Sequence, residues 1–600
     1  MSILIGYWTK SSDQELQCRL RRLLAEAVWG FESKGFKPPS VSVNGSSRPS
    51  EKNNSQSQIR FGVAVHGRNA SLETKDGSDL TATLAVARPN GDPDIWVKAT
   101  GSEVILGRGI FGRATLFWTQ TTGAVWFASR LQSLLRVVNR ASLSIDGFYA
   151  YGCMSYVPAP LTPVDNIFSV PAGSELTWSA EQPEASPQTL AFHQWREADT
   201  QISDEKEASR CLRRLLEESV ETQLEGSSGE PIGAFLSGGL DSSVSAALLV
   251  LAGAKVRAYT LDFGSNSFPE ALHAEMVARS LGIPLKKIPV TPDSLRRMLA
   301  STASRLDGLY GDGVTVPLAL LYKHAREDVG IVFNGEGGDQ LFAGWTNKPL
   351  IAASLYESES NSGDREQTFL SHYMRTFHRL HGHEAGVYNE SVRRQIEERR
   401  LLAILAQALD PAYTRSLLQR LRRANLLLKG ADNIQPRATN LGLSYNLDVR
   451  TLFCSRSLAE WTFRVSGELW LRGGCEKYLL KRSVEDLLPP EIVWREKRGM
   501  GVPLTLWLTG PLRRWVLRQL RPRYLAAEGL WQSDLAQRIA NGELSGHVQG
   551  RRIGETLWLM LMWQAWRRLA LQSGQDEARD KLFRPWGLSL PFTGPKRRYT

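Results

Sequence analysis

Two short stretches concentrate residue types that handle phosphate and metal. In FLSGGLDSSVSAALL (235–249), Gly238 and Gly239 lie between an apolar run and a helical pattern, flanked by Ser237, Ser242 and Ser243, with Asp241 inside the turn. Paired glycines let the backbone approach a phosphate closely, and a helix opening near Asp241 or Ser242 aims its N–H groups and dipole at the anion. The turn lacks the lysine of GxxxxGK[ST], so it is not the ordinary P-loop. A carboxylate beside phosphates repels them unless a divalent cation lies between, which makes Asp241 a candidate magnesium ligand. Helix capping is the plainer reading of the same aspartate. The stretch VFNGEGGDQLFAGW (332–345) repeats the arrangement, with Glu336 and Asp339 separated by Gly337 and Gly338. If the two turns top neighbouring strands, Asp241 and Asp339 reach one phosphate-bound cation; capping is again the alternative.

Such turns need a scaffold. EKEASRCLRRLLEESVETQL has apolar residues at helical spacing, and PIGAFL is a short buried-strand run ahead of the first turn. KVRAYTLDF (255–263), KKIPV and GIVFN (330–334) supply further strands, with helices such as EALHAEMVARSLG between them. That alternation predicts an α/β fold with a parallel sheet covered by helices on both faces. In such sheets ligands sit beyond the carboxyl ends of the strands, where the first glycine turn falls. The first 190 residues differ: EVILGRG, ATLFWTQ and AVWFASR are turn-punctuated and predict a mostly β domain. The polar VNGSSRPSEKNNSQSQ (43–58) reads as a loop within it. Beyond about residue 366 the chain reads as largely helical, and it contains no internal repeat.

A chain of 600 residues, 42% hydrophobic, predicts two or three domains. Five scattered cysteines without a CxxC pair fit neither a disulfide framework nor a zinc site, and imply a reducing, cytoplasmic setting. The start MSILIGYWTKSSDQE has no basic segment ahead of its short apolar run, so no signal peptide is expected. LWLMLMWQAW (557–566) is about half a membrane span and reads as a buried helix. Net charge is +11, but bases are interspersed with acids, and runs such as RRQIEERR read as solvated helix faces. Neither a nucleic-acid nor a membrane partner is expected.

SGGLDSS resembles the pyrophosphate-binding loop of the ATP pyrophosphatase superfamily, whose members cleave ATP between the α and β phosphates and adenylate a substrate. Within it, GEGGDQLFAGW resembles a segment of the asparagine synthetase family, which includes class B asparagine synthetases, β-lactam synthetases and lasso peptide cyclases. GCEKYLLKRSVEDLLPPEIVWREKRGMGVPLTLW (474–507) and ETLWLMLMWQAW resemble later family segments, and GRGIFGRATLFWTQTTGAVWFASRLQSLL (107–135) and YVPAPLTPVDNIFSVPAGSEL (156–176) more loosely resemble its first domain. The resemblance implies a degenerate, glutaminase-like Ntn domain over 1–195, a synthetase domain over 203–575 and a tail over 576–600. It implies that Leu236, Ser237, Gly238, Gly239, Asp241, Ser242, Ser243 and Gly335 hold ATP, that Leu261 and Phe263 face the adenine, and that Asp241 and Asp339 bind Mg2+. Glu336 falls where the family helps deprotonate the attacking amine. Lys477 falls on the lysine that stabilises charge during attack on the acyl-adenylate; without the resemblance it reads as a surface lysine.

Two departures from the family pattern shape the functional expectation. Ser2 stands where the glutamine-hydrolysing members carry their cysteine nucleophile, and their glutamine-binding segments have no counterpart, which implies a retained fold without glutaminase activity. In the acceptor segment, NLDVRTLFCS (446–455) keeps Arg450 and Phe453 but has Leu452 and Ser455 in place of the family's proline and aspartate; ADNIQPRATNLGLS ahead of it matches no family segment. The expected activity is an ATP-dependent amide-forming ligase that passes an adenylated carboxylate to an amine not drawn from glutamine. A peptide or natural product, with lasso-type macrolactam closure as the leading case, is the expected substrate, and the chain could pair as a homodimer. Asparagine synthesis from aspartate, an RNA-modifying ATP pyrophosphatase and a non-catalytic scaffold are the alternatives.

Overall fold

The computed structural model describes residues 3–9, 16, 18–20, 23, 40–44, 60–66, 70–75, 79–85, 93–121, 123–138, 141–227, 229–264, 270–344, 365–377, 379–496, 499–543 and 553–571. Ser2 and the tail over 576–600 lie outside them. Of the polar stretch 43–58, Val43 and Asn44 are the last residues of a strand rather than loop, because they pair with Gly62 and Phe61; the remainder lies outside the described residues.

The first half is built on two six-stranded antiparallel sheets. One takes β1 (Ile3–Thr9), β2 (Ser40–Asn44), β3 (Arg60–His66), β8 (Phe117–Thr121), β9 (Ala124–Ala128) and β10 (Phe168–Ser169) in the order β10-β8-β9-β1-β3-β2. The other takes β4 (Ala70–Lys75), β5 (Asp79–Leu84), β6 (Ile95–Ala99), β7 (Glu103–Arg108), β11 (Ser174–Ser179) and β12 (Gln188–Ala191) in the order β12-β11-β7-β6-β5-β4. Strand alternation puts Leu80, Ala82, Leu84, Ile95 and Val97 of one sheet into a single core with Leu4, Trp8, Val63 and Val65 of the other. β1 is buried along its whole length: Ile3, Ile5 and Tyr7 face the opposite way, into a core shared with Leu131, Leu134 and Phe148 of two helices.

The second half carries a five-stranded parallel sheet of β13 (Ile232–Phe235), β14 (Val256–Asp262), β15 (Leu285–Pro289), β16 (Ile331–Phe333) and β17 (Asp448–Arg450). Its order is β15-β14-β13-β16-β17, so strand succession reverses between β13 and β16. That reversal opens the crevice in which α/β sheets bind ligands, and both glycine turns flank it. The first four strands are those the sequence pattern predicts. β17 lies within the stretch beyond residue 366 that reads as largely helical; with three residues it is too short to show a period. Helices α1 (Glu205–Leu224) and α2 (Leu240–Leu251) bracket β13, and α1 opens on Asp204, whose carboxylate accepts from the Glu207 N–H at 2.6 Å. The last described helix, Ile553–Leu571, buries Leu557 through Trp566 against the sheet-covering helices. Among the described residues no helix is long and apolar enough to cross a membrane.

Buried polar ties join the halves. Arg108, at the end of β7 and 1% exposed, donates from Nε to the Ala114 carbonyl, from Nη1 to Val170 and to Asp432 Oδ1 at 3.0 Å, and from Nη2 to Gly112 and Ala431. All five guanidinium donors are thereby used. Asp432 takes a further hydrogen bond from the Ala159 N–H at 2.9 Å. Arg130 Nε meets Asp307 Oδ1 at 2.6 Å, and Asn440 bonds the same aspartate. Burial pushes the Asp307 carboxyl up to about 6, against the pull of Arg130.

Candidate active site

β13 is four buried residues, IGAF, and delivers the chain to the mouth of the crevice at Leu236, whose N–H is held by the Tyr259 carbonyl at 2.9 Å. Ser237, Gly238 and Gly239 then turn into α2, which starts at Leu240. The first-turn N–H groups of such a helix have no acceptor within it and point out of its end. The serine hydroxyls knit the loop: Ser237 and Ser242 Oγ lie 3.1 Å apart, and Ser242 and Ser243 donate to the Gly239 carbonyl at 3.1 and 2.8 Å. Ser243 is fully buried and so shapes the loop from behind. Leu261 and Phe263, at the end of β14, are nearly buried, with the Phe263 ring 6.1 Å from that of Trp507; together they form an apolar wall beside the loop.

The second turn follows β16 and touches the first. A Cβ on Gly338 would fall 2.5 Å from Asp241 Cγ, and one on Gly344 would fall 1.9 Å from Lys477 Cε, so both glycines exist to let a charged side chain through. Lys477 sits in the left-handed region at φ +56, at the start of the short helix Tyr478–Val484, and is 2% exposed. Non-glycine residues held there are strained by about 1–3 kcal/mol and concentrate at functional sites. Its ammonium lies 2.6 and 2.5 Å from the two oxygens of Asp241 and 2.5 Å from Asp339 Oδ1. Two carboxylates already closed around one cation are the hard oxygen donors that Mg2+ accepts. Among the described residues no group of three or more His, Cys, Asp or Glu is arranged for a metal. The pair therefore suits a magnesium ion whose other ligands are phosphate oxygens and water.

Glu336 stands on the other side of the second turn. Its N–H donates to Asn334 Oδ1, its carbonyl accepts from the Thr451 hydroxyl at 2.8 Å, and Arg437 Nη2 lies 3.1 Å from Oε1. The other arm of Arg437 reaches Asp312 Oδ2 at 2.5 Å. Asp312 in turn accepts from the Thr315 N–H and hydroxyl at 3.0 and 2.6 Å. Burial works to raise the Asp312 carboxyl, but Arg437 and Thr315 together hold it below the usual range. The result is a carboxylate–guanidinium–carboxylate row that fixes Glu336 at the edge of the crevice while leaving its side chain partly exposed.

The structure thus gathers Asp241, Asp339 and Lys477 into one cluster and sets Glu336 on the turn that carries Asp339. Arg437, Asp312 and Thr315 are additions that sequence reasoning missed. Arg437 sits in ADNIQPRATNLGLS, just after a π-helical run over Leu426–Ile434, and neither periodicity nor a motif singles it out. Asp312, between two glycines in YGDGV, is the only local hint. The retained Arg450 and Phe453 have structural partners: Arg450 Nη1 donates to the Gln223 carbonyl at the end of α1, and Phe453 packs on Phe342 with centroids 5.6 Å apart.

The asparagine synthase family model matches residues 211–568. Asparagine synthetase [glutamine-hydrolyzing] 1 of Bacillus subtilis (strain 168) is 22% identical over 499 residues, 80% of this chain and 77% of its own. A putative asparagine synthetase [glutamine-hydrolyzing] of Mycobacterium bovis is 24% identical over 505 residues, 80% of this chain and 76% of its own. Among solved structures, the NH3-dependent NAD synthetase of Campylobacter jejuni aligns with 38% of this chain and 95% of its own at 14% identity and a TM-score of 0.20. Glutamine phosphoribosylpyrophosphate amidotransferase of B. subtilis aligns with 56% and 81% at 11% identity and a TM-score of 0.19. Neither structural alignment approaches a shared whole-chain fold.

Proposed function

Because the chain belongs to the asparagine synthase family and is an ATP-dependent carbon–nitrogen ligase, we propose that it adenylates a carboxylate and passes the acyl group to an amine that glutamine does not supply. In the first step a carboxylate oxygen attacks the α-phosphate of ATP and pyrophosphate leaves. In the second the amine attacks the acyl carbon, loses a proton, and AMP leaves. The N–H groups of the first turn, with Ser237 and Ser242, would hold the phosphates, and Leu261 and Phe263 would flank the adenine. Asp241 and Asp339 would hold Mg2+, which neutralises triphosphate charge. Glu336, oriented by Arg437, takes the amine proton. Lys477 offsets the charge that builds on the acyl oxygen, a contribution of about 2.7–4 kcal/mol for one such donor.

The observation that carries this reading is the burial of Lys477 between Asp241 and Asp339. A scaffold has no use for a strained, desolvated lysine in that place. Ser2 at the nucleophile position and the altered NLDVRTLFCS wall favour an amine and an acceptor other than those of asparagine synthesis. The preferred substrate is a peptide or other natural product, with closure of a lasso-type macrolactam as the leading case and a precursor peptide as the partner. The first half, over 1–195, would be a glutaminase-like domain without that activity, followed by the synthetase domain over 203–575.

Pyrophosphate release measured across a panel of carboxylates and amines, with and without glutamine and tRNA, tests the reading. Release with a peptide and no glutamine is expected. Glutamine-dependent formation of asparagine from aspartate would replace it with asparagine synthesis, tRNA-stimulated release with an RNA-modifying enzyme, and no release at all with a scaffold.

A further inference from the structure

Lys429 lies in the π-helical run Leu426–Ile434, and π-helical turns are rare and appear mostly at functional sites. The run borders the second glycine turn on both sides of Asp339. A Cβ on Gly430 would fall 3.5 Å from Gln340 Cγ, and one on Gly337 would fall 3.4 Å from Gln435 Nε2, at the start of the helix that continues the run. It is also tied to the first half, since Arg108 holds the Ala431 carbonyl and Asp432. Lys429 therefore stands on a fixed stretch of backbone beside the candidate metal ligand, ahead of Arg437, which orients Glu336.

The charged groups that act on the Lys429 ammonium are Asp339, Arg379, Asp312 and Arg437. Each of them already has a counter-charge: Asp339 meets Lys477, Arg437 joins Asp312 to Glu336, and Arg379 meets Glu555 at 2.5 Å. Lys429 has none. Among the described residues its side chain makes no hydrogen bond and no ion pair, yet the residue is only half-buried and its Nζ keeps contact with solvent. Burial pulls its pKa below the ordinary lysine value, and the two aspartates offset only part of that pull. A desolvated ammonium of this kind weakens the fold by itself and gains from an anion that arrives beside it. Of the reactants, the carboxylate is the one that needs it. At neutral pH it enters as an anion, alongside a triphosphate and the carboxylates of Asp339 and Glu336, while Lys477 and Arg437 are engaged by protein acids. An amine would be repelled there. We propose that Lys429 recognises the acyl donor, pairing with its reacting carboxylate before adenylation and so selecting a carboxylate over the corresponding neutral amide. The proposal deepens the ligase reading and rests on it for its purpose. When the carboxylate oxygen attacks the α-phosphate, the negative charge leaves with pyrophosphate, so the pairing acts on the carboxylate and not on the acyl-adenylate.

The test is calorimetry of the full chain with Mg2+ and α,β-methylene ATP, which cannot release pyrophosphate. The probes are acetylated tetrapeptides in pairs that differ by one carboxylate (Asp against Asn, Glu against Gln, a free against an amidated carboxyl end), together with aspartate against asparagine. The wild type is expected to favour the carboxylate member of at least one pair by about tenfold or more. Lys429→Met should lose that preference, Lys429→Arg should keep it, and the ATP analogue should bind all three alike. Ligand-free Lys429→Met should unfold no lower than the wild type, because it removes a charge that has lost water and gained no partner. No preference in the wild type for any pair, a preference retained in Lys429→Met, or a lower unfolding temperature for that variant overturns the proposal. Carboxylate preference without pyrophosphate release once ATP replaces the analogue would sink the ligase reading alone; release with an unchanged KM for the carboxylate in Lys429→Met would sink the role of Lys429 alone.

Discussion

Replacing Lys477 by methionine keeps an unbranched side chain one atom shorter and deletes the charge between Asp241 and Asp339. Asp241 Oδ2 and Asp339 Oδ1 each lie 2.5 Å from the ammonium, so the two oxygens are no more than about 5 Å apart. Two unit charges at that distance repel by about 3 kcal/mol at an effective dielectric constant of about 20. Water at the Asp339 side chain, 35% exposed, reduces this. Lys477→Met is therefore expected to lose roughly 2–3 kcal/mol of stability at neutral pH. Mg2+ should restore much of it by taking the place of the ammonium, whereas the wild type, in which one of the two negative charges is already offset, should gain less. Thermal unfolding of both proteins with and without Mg2+ reads the difference without any substrate. If Lys477→Met unfolds at the wild-type temperature and ignores Mg2+, the two aspartates do not share a cation site and the assignment of both is wrong.

Three further outcomes follow from the same geometry. Asp241→Asn removes a carboxylate from that cluster, and ATP–pyrophosphate exchange should fall to background; substantial residual exchange would move the metal elsewhere. Arg437→Met strips the partner from both Glu336 and Asp312, and should destabilise by about 3–5 kcal/mol, whereas Arg437→Lys should fold but form amide more slowly than it adenylates; equal loss of both steps would deny Glu336 its role at the amine. Asp307, raised in the fold to about 6 from 3.8, favours its neutral form there. Its contribution is thus fully present below about pH 4 and is lost as pH rises through about 6, by roughly 3 kcal/mol at most. The unfolding midpoint of the wild type should therefore fall relative to that of Asp307→Asn across this window, and a constant difference would refute the shift.

The parallel sheet was legible because β13 and β16 are short apolar runs and β14 and β15 are strand-like runs that end in aspartate and proline, with helical patterns between them, and the first turn was legible because two glycines follow β13 directly. The Asp241–Asp339 pairing also followed, since it depends only on the two turns topping adjacent strands. Arg437 and Asp312 could not be read, because they lie 125 residues apart and each looks locally like an ordinary polar residue. The left-handed backbone of Lys477 was equally hidden: EKYLL reads as helix, and only the narrow passage beside Gly344 explains why the chain bends there.

Arg108 bears on whether the two halves are separable. With all five donors consumed, two of them by the Ala431 carbonyl and Asp432 across the boundary, the second half expressed alone would lose the partner of an aspartate that the first half both covers and pairs. The first half therefore holds part of the second in place, whatever its own chemistry. Truncation or exchange of the first half would have to supply a guanidinium at that point before any change in activity could be attributed to chemistry.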